Sequence, residues 1–234
     1  MIVNNILSRV LLGILTGCCL LACRGELPVL PSDEIDVGKD PLGGVSIKGM
    51  YLLNEGNMGS NKATLDYFDY ETGIYHKNIY AERNPGVVQE LGDVGNDIQI
   101  YGNKLYAIIN CSHFVEVMNV ETAKHITQIS IPNCRYIVFK DKYAYVSSYA
   151  GPVKIDPNAR LGYVARVDTT TLTVKDTCVV GYQPEEMVIV GNKLYVANSG
   201  GYRVPNYDRT VSVIDLNTFK VIKTIDVGIN CLLY

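Results

Sequence analysis

Three histidines, seven cysteines and a recurring set of acidic residues are the groups in this 234-residue chain that could do acid–base, metal or covalent chemistry. Their spacing argues against it. No Gly-x-Ser-x-Gly elbow occurs to raise a nucleophilic serine. Cys111, Cys134, Cys178 and Cys231 are 23, 44 and 53 residues apart and form no Cys-x-x-Cys, so neither zinc nor haem attachment is predicted. Free thiols are favoured over a Cys111–Cys134 bridge. His76 and His125 each follow a Thr-containing turn and read as solvated strand residues. Asp69, Asn119, Asp168 and Asp215 lie 50, 49 and 47 residues apart, each just before such a turn. An acceptor there closes the turn by taking backbone N–H bonds, so their recurrence points to structure rather than catalysis. The pair Glu185-Glu186 could hold a cation or a basic group, but a solvated charge pair is commoner. No catalytic residue, metal or cofactor is expected.

The side chains suited to recognition are more numerous. Asn54, Asn57, Arg135, Tyr149, Arg160, Tyr182, Asn198, Tyr202, Arg203 and Tyr207 form the candidate ligand-binding set, with Lys154 and Arg209 in the same stretches. Seventeen Tyr against four Phe and no Trp is an unusual aromatic balance. Tyr suits both strands and wet concave surfaces, being apolar at one end and hydrogen-bonding at the other.

The elements that must position these residues are spelled out as a repeat. Gly191 to Asn198, then Val211 to Thr218, then Lys220 to Gly228 gives its clearest copy. Lys48 to Thr72, Gly102 to Thr122 and Lys140 to Thr170 follow the same order. A period near 50 belongs to propeller blades. Within one copy, Glu186 to Val190, Lys193 to Ala197, Val211 to Leu216 and Val221 to Val227 read as four strands. The fold class is therefore all-β, a β-propeller of four-stranded blades, with about four blades present in residues 46–234. Consecutive strands alternate direction, so the connections divide between two faces. Gly102-Asn103, Gly191-Asn192, Glu121-Thr122 and Asn217-Thr218 make tight turns on one face. The long loops Asn54 to Ala63, Ser148 to Gly162 and Asn198 to Arg209 emerge on the other, and this face is the expected binding site.

Residues 1–22 carry one charge, Arg9, and an apolar run from Val10 to Leu21, which reads as an export signal. Leu20-Leu21-Ala22-Cys23 resembles a bacterial lipobox, making Cys23 the lipidated N-terminus; Leu15-Thr16-Gly17-Cys18 is the alternative, and an ordinary signal peptide a further one. Residues 23–45, rich in Pro and acid, read as a flexible tether from the membrane. Without residues 1–22 the chain holds 20 basic and 24 acidic residues and no basic run, which argues against a nucleic-acid partner. At the other end, Val227-Gly228-Ile229-Asn230 repeats Val180-Gly181-Tyr182-Gln183, which precedes a new blade. The ring is therefore expected to be incomplete: a fragment, a truncated product, or a half completed by another chain.

Leu194-Tyr195-Val196-Ala197-Asn198 with Thr210 to Asp215 resembles the YVTN-type repeat, and the chain from about Ile47 onward is similar to the YncE-like propellers. That family uses about seven blades, within the range of roughly four to eight for closed rings. Joined to a lipobox, the pattern resembles the surface lipoproteins of Bacteroides-type bacteria, including the BtuG-type cobalamin-binding members. The resemblance implies outer-membrane or cell-surface display and capture of an extracellular small molecule, such as cobalamin, for a TonB-dependent transporter. The alternatives are a protein-interaction platform docking on an outer-membrane transporter, and a hydrolase or lactonase completed by other blades. Quinoprotein propellers are typically locked by recurring Trp, which this chain lacks.

Overall fold

The computed structural model describes residues 32–38, 47–87 and 90–229. The export signal, the lipobox at Cys23, most of the tether and Cys231 lie outside the described residues. Four antiparallel four-stranded sheets make up the domain. The first holds β1 (Asp33–Asp36), β2 (Gly49–Asn54), β3 (Thr64–Asp69) and β4 (Ile74–Lys77), followed by a short helix α1 (Ile79–Arg83). The second holds β5 (Gly95–Tyr101), β6 (Lys104–Ile109), β7 (Phe114–Asn119) and β8 (His125–Ser130). The third holds β9 (Cys134–Lys140), β10 (Tyr143–Ser148), β11 (Tyr163–Asp168) and β12 (Thr173–Val179). The fourth holds β13 (Pro184–Val190), β14 (Lys193–Asn198), β15 (Thr210–Asp215) and β16 (Lys220–Asp226). Blades 2 to 4 are ordered as the chain runs, and the sheets match the expected propeller.

Alternation of apolar residues along each strand puts one set of side chains against the preceding blade and the other against the next. Leu65, Ile79, Leu105, Ile109 and Met118 fill the joint between blades 1 and 2. Tyr106, Ile108, Val117, Ile137, Val146 and Val167 fill that between blades 2 and 3, and Tyr145, Val164, Leu194, Val196, Ile214 and Phe219 that between blades 3 and 4. Three such cores join four blades into an arc, the incomplete ring of the expectation.

The recurrent acceptors close their turns as expected. Asp69 Oδ1 accepts from the N–H groups of Glu71 and Thr72, Asn119 Oδ1 from Glu121 and Thr122, Asp168 Oδ1 from Thr170 and Thr171, and Asp215 Oδ1 from Asn217 and Thr218. Donors from Thr171 and Thr170 hold the Asp168 carboxyl below its usual range, and donors led by Thr218 do the same for Asp215. A depressed pKa means that this turn closure contributes above the unfolded carboxylate range and is lost as pH falls through the folded value.

A second recurrence lies at the entry to each inner strand. Val94, Asn133 and Gln183 all take left-handed backbone, with φ of 61°, 43° and 49°. Their carbonyls accept from Asn110, Tyr149 and Ser199, the residues just after β6, β10 and β14. The chain must turn here from the outer strand of one blade to the inner strand of the next, and the same elbow does so each time.

Three expectations are corrected. Part of the 23–45 tether is a strand: β1 pairs along the outer edge of β4, with Asp33 3.8 Å from Lys77 and Glu34 3.2 Å from His76. The exposed backbone edge of a four-residue outer strand is a template for such pairing. His125 is not simply solvated, since its Nδ1 lies 2.6 Å from the fully buried Glu116 carboxylate. Glu185 is not a solvated charge but a buried one, described below.

Cys111, Cys134 and Cys178 are free thiols, as favoured. Burial pushes the Cys134 thiol up to about 12, so little thiolate exists near neutral pH. Alkylation of the native protein by iodoacetamide at pH 8, read by peptide mass spectrometry, is expected to leave Cys134 unmodified until denaturant is added.

Candidate functional site

The long-loop face between blades 3 and 4 is built from residues 149–162, 180–183 and 199–209. Its backbone is cross-bonded. Gly162 N–H donates to Gly181 O at 2.9 Å, Val180 N–H to Gly162 O at 3.0 Å, and Asp156 N–H to Tyr202 O at 2.9 Å. Asp208 holds the second loop down by accepting from Tyr182 N–H at 2.8 Å and from the Thr210 hydroxyl at 2.8 Å. Arg203 clamps the first loop to the second: its guanidinium lies 3.5 Å over the Tyr182 ring and donates to the carbonyls of Asn206 and Pro157. Loops bonded in this way need little ordering when a ligand arrives.

Beneath them lies a polar network joining the inner strands of two blades. Glu185 on β13 accepts from Arg135 Nε on β9 at 2.9 Å. Its other oxygen accepts from the Tyr149 hydroxyl and, at 3.3 Å, from the Ser199 hydroxyl. Arg135 also stacks 5.0 Å over the Tyr149 ring. Burial alone would lower the Arg135 pKa, but the adjacent Glu185 carboxylate holds it above its ordinary value. Burial and the same carboxylate push the Tyr149 phenol up, so it stays protonated and donates.

Above this network is a cavity of about 270 Å³, lined by Tyr149, Gly151, Pro152, Lys154, Asp156, Asn158, Ala159, Arg160 and Gln183. It sits just below the roughly 300–1,000 Å³ range of small-molecule pockets. Of the expected set, Tyr149 and Arg160 line it, and Tyr202 packs edge-on to Tyr149 with ring centroids 6.3 Å apart. Arg135 stands behind it in the ion pair. Tyr182 and Arg203 are occupied with the loop clamp, and Tyr207 lies exposed on the outer loop.

The asparagines are placed differently. Asn198 is fully buried: its Nδ2 donates to Thr210 and Ser212 and its Oδ1 accepts from Gly181, so its side chain is committed to tying strands together. Asn54, at the equivalent position of blade 1, donates to Thr64 Oγ1 and Asp66 Oδ2 in the same way. Asn57 belongs to the separate 55–63 loop, which Asp93 holds through Gly59 N–H. Gln183 and Asn158 were missed, and Glu185 was misread; Gln183 differs from Asn230 at the same point of the next copy, a substitution too small to signal a site.

Gly181 is one of the tight points of this assembly. An added Cβ would strike the Asn198 amide and lie 2.6 Å from Asp208 Oδ2, both of which are committed to holding the loops. Gly181→Ala is expected to cost about 1–3 kcal/mol by overpacking, seen as a lower thermal midpoint together with faster hydrogen exchange in residues 199–209.

Sheet order, the arc of blades and a loop-face cavity define a β-propeller with a preformed pocket on its long-loop side. The chain belongs to the family described as "Domain of unknown function (DUF5074)", whose model matches residues 48–233. No curated protein matches the sequence. Among solved structures it is similar to hydrazine synthase of Kuenenia stuttgartiensis, at 16% identity and a TM-score of 0.58 over 77% of this chain and 46% of that one. It is also similar to the dihydro-heme d1 dehydrogenase NirN, at 11% identity and a TM-score of 0.52 over 83% of this chain and 38% of that one. AztD from Citrobacter koseri matches at 14% identity with a TM-score of 0.50 over 78% of this chain and 45% of that one. The chain thus spans less than half the length of each. At these identities the likeness extends to the propeller fold, a scaffold that hosts many activities.

Proposed function

We propose that this protein is a non-enzymatic binding module that captures a small molecule on its long-loop face. The observation that carries this reading is the cavity over the Arg135–Glu185–Tyr149 network, walled by loops already bonded to one another. The buried titratable groups beneath it are committed to each other, which suits a rigid wall better than proton transfer. Envelope anchoring through Cys23 and display at the outer membrane belong to the same proposal. Labelled palmitate is expected to enter the wild-type protein in its native host and not a Cys23→Ala variant.

Cobalamin, delivered to a TonB-dependent transporter, is the finer form of the proposal. A corrinoid is much larger than the cavity, which would therefore receive one projecting group while the rest lay across the loop tips. Calorimetric titration of the full chain with cyanocobalamin and with small metabolites tests the reading. Saturable binding that is weakened by Arg160→Gln supports it; heats that do not respond to that variant would count against this face.

A second reading has its own support. Ile155 is 72% exposed, and Val204, Leu161 and Tyr207 are also exposed on the loop tips. Such side chains suit docking on a partner protein. That role predicts association with a transporter that survives the Arg160→Gln change and fails when Ile155 becomes Asp.

A further inference from the structure

The cavity's polar lining is unbalanced. Gln183 is only 2% exposed, and its Oε1 accepts from Tyr202 N–H at 2.6 Å. Its Nε2 has no protein partner among the described residues, although the side chain lines the cavity. Lys154 and Arg160 line the same cavity, and neither forms an ion pair among the described residues. The Tyr149 hydroxyl, which could otherwise accept or donate, is spent on Glu185. The opposing group is Asp156, one carboxylate against two cations, and its Oδ1 already accepts from Asn158 N–H at 2.9 Å.

The Gln183 amide opens onto the cavity rather than being sealed in the core, so its N–H groups are available to water or to a ligand that accepts from them. Two unpaired cations beside it attract negative charge, and hydrogen bonds from charged donors to oxyanions are among the stronger ones. We infer that the cavity recognises a small organic anion, or an anionic group of a larger ligand, through Lys154, Arg160 and Gln183. The shared chemistry is an oxyanion, carboxylate or phosphate, and its donors come from three residues that line one cavity. This deepens the proposed function and rests on the cavity being a ligand site.

The test compares four-carbon molecules that differ in charge: succinate, neutral erythritol and cationic putrescine, with inorganic phosphate as a second anion. Calorimetry on the full chain is paired with hydrogen–deuterium exchange of residues 149–160. Succinate or phosphate is expected to bind and protect this segment, and whichever is tighter assigns carboxylate or phosphate. Lys154→Ala and Arg160→Gln are each expected to weaken binding at least tenfold, with partial recovery in Arg160→Lys. Both side chains are exposed, so the variants should fold as the parent does, and Gln183→Met gives an uncharged third probe. Erythritol or putrescine protecting residues 149–160 as well as the anions do would overturn the anionic assignment and leave the binding module standing. Failure of all four to protect that segment would overturn the anionic assignment, while the binding module itself stands or falls with the cyanocobalamin titration.

Discussion

An Arg135→Met variant is expected to lose about 3–5 kcal/mol of stability, the usual consequence of stripping one partner from a buried ion pair. The side chains of Arg135 and Glu185 are 17% and 11% exposed, and β9 and β13 belong to adjacent blades. With the guanidinium gone, the Glu185 carboxylate keeps only the Tyr149 and Ser199 hydroxyls. Neutral donors do not offset its desolvation. Methionine fills much of the vacated volume, so the loss reports charge rather than a cavity. The control is Arg135→Met with Glu185→Leu, which removes both charges and should recover most of the deficit. Urea denaturation of the three proteins measures it. A midpoint unchanged in Arg135→Met would contradict the pair, and a double variant no better than the single would assign the loss to packing. Tyr149 is anchored by the same carboxylate, so ligand binding should weaken along with stability.

Much of this architecture was legible in the sequence because strands and turns are local. Apolar alternation marked the strands, and Asp69, Asn119, Asp168 and Asp215 marked their hairpins through bonds spanning only two or three residues. The sorting of loops onto two faces followed from alternating strand direction. Pairings between blades were harder to read. Glu185 and Glu186 are neighbours of the same type, yet strand alternation sends them to different surroundings, and nothing nearby in sequence names the Arg135 that neutralises one of them.

A signal for that pair was nevertheless present. Arg135 and Glu185 occupy the second position of equivalent inner strands, 50 residues and one blade apart. Asn96 holds the same position in blade 2 and donates to Arg135 O. In a propeller, equivalent positions of successive repeats are neighbours around the channel. Opposite charges at one aligned position therefore predict contact, whereas reading each loop alone does not. The same logic explains Asn54 and Asn198. Their recurrence at the end of β2 and β14 marks a scaffold role, as recurrence does for the turn acceptors.

The second large effect concerns the other buried charge. Glu116 on β7 is fully buried in the joint between blades 1 and 2, where His125 Nδ1 lies 2.6 Å from its Oε1 and Oε2 has no hydrogen-bond partner. The Tyr80 phenol is pushed up by burial and by this carboxylate, without completing a hydrogen bond to Oε2. The two halves of the pair should therefore respond unequally. His125→Leu leaves the buried carboxylate with no cation and only the Tyr80 phenol beside it, and is expected to cost about 3–5 kcal/mol. Glu116→Met removes the buried charge and its unsatisfied oxygen at nearly constant volume, and leaves a His125 side chain that is 28% exposed and can be hydrated. Its expected effect lies between neutral and a gain of about 1–4 kcal/mol. Denaturation midpoints of the two variants give the comparison directly. Equal losses would show that Glu116 contributes more than its burial costs, and that the buried pair is a net source of stability for the joint between blades 1 and 2.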